Sequence, residues 1–153
     1  MAAIDIALTQ DSYNVFDISI ASNGDLATTQ GFDTSLTCSL FTDKRASDTE
    51  VLQPERRRGF WGDVYENDDS FTRGSKLWLL SQARITQATV NAAISYAKNS
   101  LQWLIDDGYA VKVDATASIT GARRNGIALT ITVYRSQSIS ETRTYEIWQN
   151  TGA

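Results

Sequence analysis

Apolar and polar residues alternate at period two near both ends of the chain and recur at helical spacing in one stretch between them. At the start, Ile4-Asp5-Ile6-Ala7-Leu8 alternates and predicts a strand. Residues 13–20 predict a second, with Phe16, Ile18 and Ile20 on one face and Asp17 and Ser19 on the other. Asn23-Gly24 follows, a pair that accepts the positive φ angles of a tight hairpin turn, and 26–29 then reads as a short return strand. Gly31-Phe32-Asp33 closes this N-terminal β-hairpin. Asp33 is placed as the N-cap of a short helix over 34–43 that sets Leu36 and Leu40 on one face.

Between 45 and 73 the periodicity disappears. The stretch holds Pro54, Gly59, Gly62 and the acidic Glu66-Asn67-Asp68-Asp69. Irregular chain of this length in a compact domain is generally functional or disordered, and Phe60 and Trp61 imply that it docks onto something. Residues 76–80 read as a short helix or turn. Residues 86–107 predict one long helix, with Val90, Ile94, Ala97, Leu101 and Leu104 forming an apolar stripe. Gly108 supplies the left-handed residue that ends it, with Tyr109 folding back on Leu104. Three alternating strands follow over 111–119, 127–134 and 142–149, the first two joined by a turn that contains a second Asn-Gly pair. The grouping predicts an α+β fold: a mainly antiparallel sheet packed against one long helix, with a short N-terminal helix and an N-terminal β-hairpin.

A length of 153 residues, 42% hydrophobic and 21% charged, predicts a single domain over 1–153 with an irregular docking loop at about 45–73. Histidine is absent, which removes Ser-His-Asp and Cys-His catalysis and every His-ligated zinc site. Cys38 is the single cysteine, so no internal disulfide forms and no thiolate zinc site can be built. The opening Met1-Ala2-Ala3-Ile4-Asp5-Ile6 lacks the cationic and apolar regions of a signal peptide. No apolar run approaches the roughly 20 residues that span a bilayer, and the reading is a soluble protein made in the cytosol. A net charge of −4 gives no general attraction to phosphate backbones, so neither nucleic acid nor membrane is a predicted partner. No cofactor is implied.

Carboxylates cluster at Asp106-Asp107 and over 63–69. A glycosidase needs two carboxyls roughly 5–10 Å apart across a cleft, and neighbours at a helix end diverge. The acidic run lacks the spacing of a calcium loop, and solvated surface is the favoured reading of both. Arg56, Arg57 and Arg58 are followed at once by Phe60 and Trp61, and Arg and Trp are enriched at protein–protein hot spots, which favours an interface over a solvated loop. Trp61, Trp78, Trp103 and Trp148 each read as core by default. Ile147 and Trp148, adjacent on the last strand, place an apolar side chain on each of its faces, and an exposed strand edge offers backbone groups to a partner strand.

The segments Arg57-Arg58-Gly59-Phe60-Trp61-Gly62-Asp63 and Gly74-Ser75-Lys76-Leu77-Trp78-Leu79-Leu80 lie between the hairpin and the helix ending Leu101-Gln102-Trp103-Leu104-Ile105-Asp106-Asp107-Gly108. In this order they resemble the Mu-like branch of the baseplate wedge and sheath-initiator family of contractile-tailed phages. The wider family carries Glu-Pro-Arg after the long helix, where this chain reads Asp106-Asp107-Gly108. The resemblance implies a structural, non-enzymatic subunit of the virion, made in the host cytoplasm and present in multiple copies in a symmetric baseplate. It would join the wedge and nucleate the first sheath ring by β-strand addition. Its partners would be the tail sheath protein and baseplate wedge proteins, with the tube or hub beyond them. Arg56, Arg57, Arg58, Phe60 and Trp61 are the candidate wedge contacts. Tyr134, Tyr145, Ile147 and Trp148 are the candidates for sheath strands adding to the sheet of 127–135 and 142–149. The alternatives are a tail-associated cell-wall glycan hydrolase, which needs a carboxylate pair, and a small ligand-binding domain, which needs a deep apolar pocket.

Overall fold

Thirteen short elements make up the fold of the computed structural model, which describes residues 4–11, 15–65, 72–81 and 83–149, the side chains of Trp148 and Gln149 excepted. In chain order they begin with β1 (Ile4–Ile6), β2 (Leu8–Gln10), β3 (Phe16–Ile18), β4 (Thr28–Gln30) and α1 (Asp33–Phe41). Three 3₁₀ turns follow at Pro54–Arg56, Trp61–Tyr65 and Lys76–Leu80. Then come α2 (Gln87–Ser100), α3 (Trp103–Asp106), β5 (Lys112–Thr120), β6 (Gly126–Tyr134) and β7 (Ser140–Gln149).

The alternating C-terminal strands form one antiparallel sheet in the order β5-β6-β7. Ile127, Leu129, Ile131 and Val133 of the central strand are all 0% exposed, packed towards α2 and α3. On the opposite face the polar positions pair across strands: Thr130 Oγ1 meets Thr144 Oγ1 at 2.9 Å and Thr132 Oγ1 meets Thr142 Oγ1 at 3.1 Å. One apolar and one polar face is what period-two alternation encodes.

The expected long helix is bent. Ser100 Oγ donates to Ala97 O, and the amide of Leu101 is shared between Ala97 O and Lys98 O, both at 3.2 Å. The ladder then tightens, with Leu104 N bonding Leu101 O at 3.1 Å, before α3 resumes. A serine bonding back into its own helix and a turn of 3₁₀ spacing are ordinary causes of a bend. The bend lets Leu101 and Leu104 both reach the core at 0% exposure, while Ile94 is only half-buried and Ala93 takes its place in the buried row. Gly108 has the expected positive φ of 76°. It is Ala110, not Tyr109, that returns to the core, its amide bonding Leu104 O at 2.8 Å. Tyr109 instead sits edge-on to Trp103 and Phe32.

At the N-terminus the α+β class holds, but the sheet is divided. β1 pairs with β4 and β2 with β3, so the first strand changes partner at Ala7, whose amide bonds Ala27 O at 2.8 Å. The Asn23-Gly24 turn forms as predicted, with Gly24 at φ 83° and Ile20 bridged to Leu26. The resulting ribbon is held to the body by Phe16, whose ring centroid lies 4.6 Å from that of Phe41, and by Thr34 Oγ1, which donates to Ile6 O.

Asp33 is not the N-cap of α1; Phe32 holds that position without a side-chain bond, and the helix starts one residue early. The carboxylate is drawn elsewhere: it is ion-paired to Arg143 of β7 and accepts from Thr29 Oγ1 at 2.8 Å. Burial works to raise the pKa of Asp33, but the Arg143 and Thr29 hydrogen bonds and the Arg143 charge outweigh it and hold the group below its ordinary value. Replacing Leu129 by Ala removes buried volume where the sheet meets the bent helix. The expected loss is about 2–5 kcal/mol, read from the midpoint of a chemical denaturation curve, and a change within experimental error would refute this placement of the core.

Candidate functional site

The stretch without periodicity is held by ion pairs rather than by an apolar core. Ala46, 4% exposed, bonds Arg57 O through its amide, closing the loop between them. The Arg57 guanidinium fills that loop: Nε donates to Val51 O at 2.8 Å, Nη2 to Leu52 O at 3.2 Å, and Nη1 pairs with Asp48 at 2.8 Å. Glu50 Oε2 accepts from the amide and hydroxyl of Ser47 and from Lys76 Nζ at 2.7 Å, clipping the loop onto the third 3₁₀ turn.

The Gly-Ser-Lys-Leu-Trp-Leu-Leu segment is the floor on which this loop rests. Gly74, at φ 88°, presses against the backbone of Thr42 so closely that a Cβ would collide with Thr42 O. Ser75 Oγ caps the turn by accepting from Leu77 N at 3.2 Å, and Leu77 and Leu80 enter the core. Trp78 donates through Nε1 to Lys44 O at 2.8 Å, and the Arg58 guanidinium lies 4.8 Å above its ring. Arg58 also pairs with Asp43 at 2.9 Å. It adopts φ 50°, a rare left-handed value for a non-glycine residue, followed by Gly59 at 120°. The two motif segments therefore meet at the Arg58–Trp78 stack.

The three arginines have three different roles. Arg57 is the internal staple, Arg58 joins the loop to its floor, and Arg56 is exposed, its side chain making no hydrogen bond or ion pair among the described residues. Phe60 is half-buried, lying against Gly62 with the Arg73 guanidinium 5.8 Å from its ring. Trp61 is 74% exposed, and Val64 and Tyr65 on the same 3₁₀ turn are 84% and 79% exposed. Val64 and Tyr65 escaped the sequence reading. The signal was the three-residue spacing from Trp61 to Val64, which eclipses the two side chains on a 3₁₀ turn.

On the sheet, Tyr145 and Ile147 are buried, so their side chains belong to the core. Tyr134 is half-buried, with Lys112 Nζ 5.3 Å from its ring. A register shift at Ile127/Ala128 makes Trp148 the partner of Ile127, so the simple alternation that set Ile147 and Trp148 on opposite faces does not run through this point. The Trp148 side chain lies outside the described residues. What β7 offers is its backbone as an edge of the sheet, where Gln10 Nε2 bonds Glu146 O at 2.9 Å.

Of the carboxylate clusters, Asp106 and Asp107 are exposed at the end of α3, Asp106 accepting from Gln102 at 3.0 Å. Residues 66–69 of the acidic run lie outside the described residues. A cleft of about 730 Å³ between α1 and α3 has a mixed lining, with Ser39, Asn99, Gln102 and Arg73 beside Phe60 and Trp103 and with Cys38 at its wall. Burial and the charge of Asp5 push the Cys38 thiol above its ordinary pKa, which disfavours the reactive thiolate. The lining is not the deep apolar pocket that a small-ligand site requires.

The chain belongs to the phage protein GP46 family, whose model matches residues 32–140. It is similar to baseplate protein gp46 of Escherichia phage Mu, 40% identical over 101 residues that cover 64% of this chain and 68% of that protein. It is also similar to Mu-like prophage FluMu protein gp46 of Haemophilus influenzae, 40% identical over 107 residues, 70% of each chain. The family resemblance carried by the 57–63 and 74–80 segments is thus borne out. The match takes in the stapled loop, α1 to α3, β5 and β6, and leaves out the N-terminal ribbon and nearly all of β7.

Glu50 gives the loop a pH signature. The Lys76 hydrogen bond, then those from Ser47, outweigh burial and lower its pKa to about 2 from an ordinary 4.5. A depressed carboxyl contributes stability that is complete above pH 4.5 and lost as the pH falls from there towards about 2. The urea midpoints of wild type and Glu50→Gln are expected to differ above pH 5 and to converge on acidification, and a gap independent of pH would refute the assignment.

Proposed function

We propose that this chain is a structural subunit of a phage tail baseplate, docking through Arg56, Trp61, Val64 and Tyr65 and presenting the β7 edge to a strand of another chain. The baseplate reading is supported by likeness to the Mu protein of that name over two-thirds of its length. The observation that carries the docking mode is the display of Trp61, Val64 and Tyr65 to solvent on a turn that directly follows a loop tied down by ion pairs. Large apolar side chains held rigid before contact lose little conformational freedom on binding, which is how interface hot spots work. Arg56 supplies a cation with no partner among the described residues. Arg57 and Arg58 support the loop from within, so their proposed contribution to wedge contact is to hold Trp61 in place.

The finer roles belong to the same proposal: the loop meets wedge proteins, and β7 accepts the first sheath strand, seeding the sheath ring. Because Tyr145 and Ile147 are core residues, specificity at that edge comes from main-chain hydrogen bonds and from the polar face of the sheet. The subunit acts by holding other chains and not by turning over substrate.

Arg56→Ala combined with Trp61→Ala is expected to reduce incorporation into baseplates by about 30-fold or more, the loss typical of a tryptophan hot spot, with an unchanged melting temperature. Normal incorporation would refute the docking role. For the edge, hydrogen–deuterium exchange of the free subunit should show rapidly exchanging β7 amides that become protected in assembled tails. Amides that exchange equally fast in the tail would refute strand addition.

A further inference from the structure

The hairpin that joins β6 to β7 fixes which backbone groups of β7 point out of the sheet. Arg135 N bonds Ile139 O at 2.9 Å, so these two residues form a directly bonded pair. Bonded and unbonded pairs alternate along an antiparallel ladder. With the register Tyr134↔Ser140, Thr132↔Thr142, Thr130↔Thr144 and Ala128↔Glu146, the amides and carbonyls of Ser140, Thr142, Thr144 and Glu146 therefore point away from β6. A strand that adds to β7 bonds to these groups.

Two of the outward carbonyls are already held. Gln10 Nε2 donates to Glu146 O at 2.9 Å, and Arg143 Nη1 donates to Thr142 O at 3.0 Å. Both donors are tied to the N-terminal part of the chain. Gln10 lies on β2 opposite Phe16 of β3, whose ring centroid is 4.6 Å from that of Phe41 and 6.5 Å from that of Tyr145. Arg143 is gripped by Asp33 at the start of α1, with Nη2 donating to Oδ2 at 3.1 Å. Between these points Gly31, at φ 91°, passes so near β7 that a Cβ would come within 2.6 Å of Glu141 Oε2. The Thr144 carbonyl, between the two held ones, accepts no side chain among the described residues.

We infer that the N-terminal ribbon is an autoinhibitory guard on β7: Gln10, together with the Arg143 held by Asp33, occupies outward carbonyls in the free chain, and an added strand displaces Gln10 to pair along the whole edge. The inference rests on the reading of β7 as a strand acceptor. An open edge is a template for any extended chain, including a second copy, and taking up its acceptors blunts it without closing the sheet. An entering strand bonds first at Thr144 and then competes for Glu146 O. Its main-chain amide replaces the Gln10 amide like for like, so the exchange costs little once the neighbouring bonds have formed. The ribbon stays attached meanwhile, because Phe16 on Phe41 and Thr34 on Ile6 O anchor it independently of Gln10.

The test is sedimentation velocity of the purified full chain over a concentration series, with a second copy as the probe of the edge. Gln10→Ala removes the donor, and Gln10→Met removes it while keeping the length of the side chain. Both variants are expected to self-associate at a concentration about fivefold or more below any at which the wild type does, the effect of one hydrogen bond, with an unchanged circular dichroism spectrum. Adding Thr144→Pro, which deletes an outward amide and is tolerated on an edge strand, should return both to the wild-type behaviour. Variants that sediment as the wild type does, association by the methionine variant alone, or association that survives Thr144→Pro would each overturn the guard. Because this readout uses the free chain, absence of the chain from purified tails would sink the baseplate reading and leave the guard standing.

Discussion

The aliphatic row of β6 is packed against a helix that bends to meet it, and every other feature of the molecule is positioned by that contact. Ile127, Leu129, Ile131 and Val133 are sealed from water, and Leu101 and Leu104 are buried where α2 gives way to α3 at Ser100. Burial of this kind is the main favourable contribution to folding. From this core α1 and the third 3₁₀ turn take their places through Leu36, Leu40, Leu77 and Leu80. The loop closed by Ala46 and Arg57 then rests on that turn. Beyond the bend, Trp103 meets Tyr109 edge-on at 5.9 Å between ring centroids.

Charge does the work at the periphery that apolar burial does in the centre. Arg57 fills its own loop, Lys76 holds Glu50, Arg58 joins Asp43 and Trp78, and Arg143 reaches from β7 to Asp33 at the start of α1. Several of these pairs are partly solvated, where each contributes only modestly to stability. Their effect is positional: they fix irregular chain that has no hydrophobic face of its own. A basic triplet that reads as one motif is thus divided between two structural residues and one exposed cation.

Two surfaces are proposed to meet other molecules: the aromatic 3₁₀ turn and the β7 edge. They differ in chemistry, aromatic in the first and main-chain in the second. Surfaces of distinct chemistry can hold distinct partners without competition, since a segment suited to one meets unpaired groups at the other.

By itself the sequence determined what depends on near neighbours. Period-two alternation placed β5, β6 and β7, the Asn23-Gly24 pair placed the ribbon turn, and the repeat from Val90 to Leu104 placed the helical core face. The order of two motif segments carried the family. Tertiary structure decided what depends on residues far apart in the chain. Asp33 left its helix end for Arg143, 110 positions away, because a partly buried carboxylate gains more from a guanidinium than from a free amide. Tyr145 and Ile147 went inward while Trp61, Val64 and Tyr65 stayed outside, although all are apolar or aromatic. Hydrophobicity states only that a side chain gains by leaving water, and whether the surface that receives it belongs to the same chain is settled by packing in three dimensions.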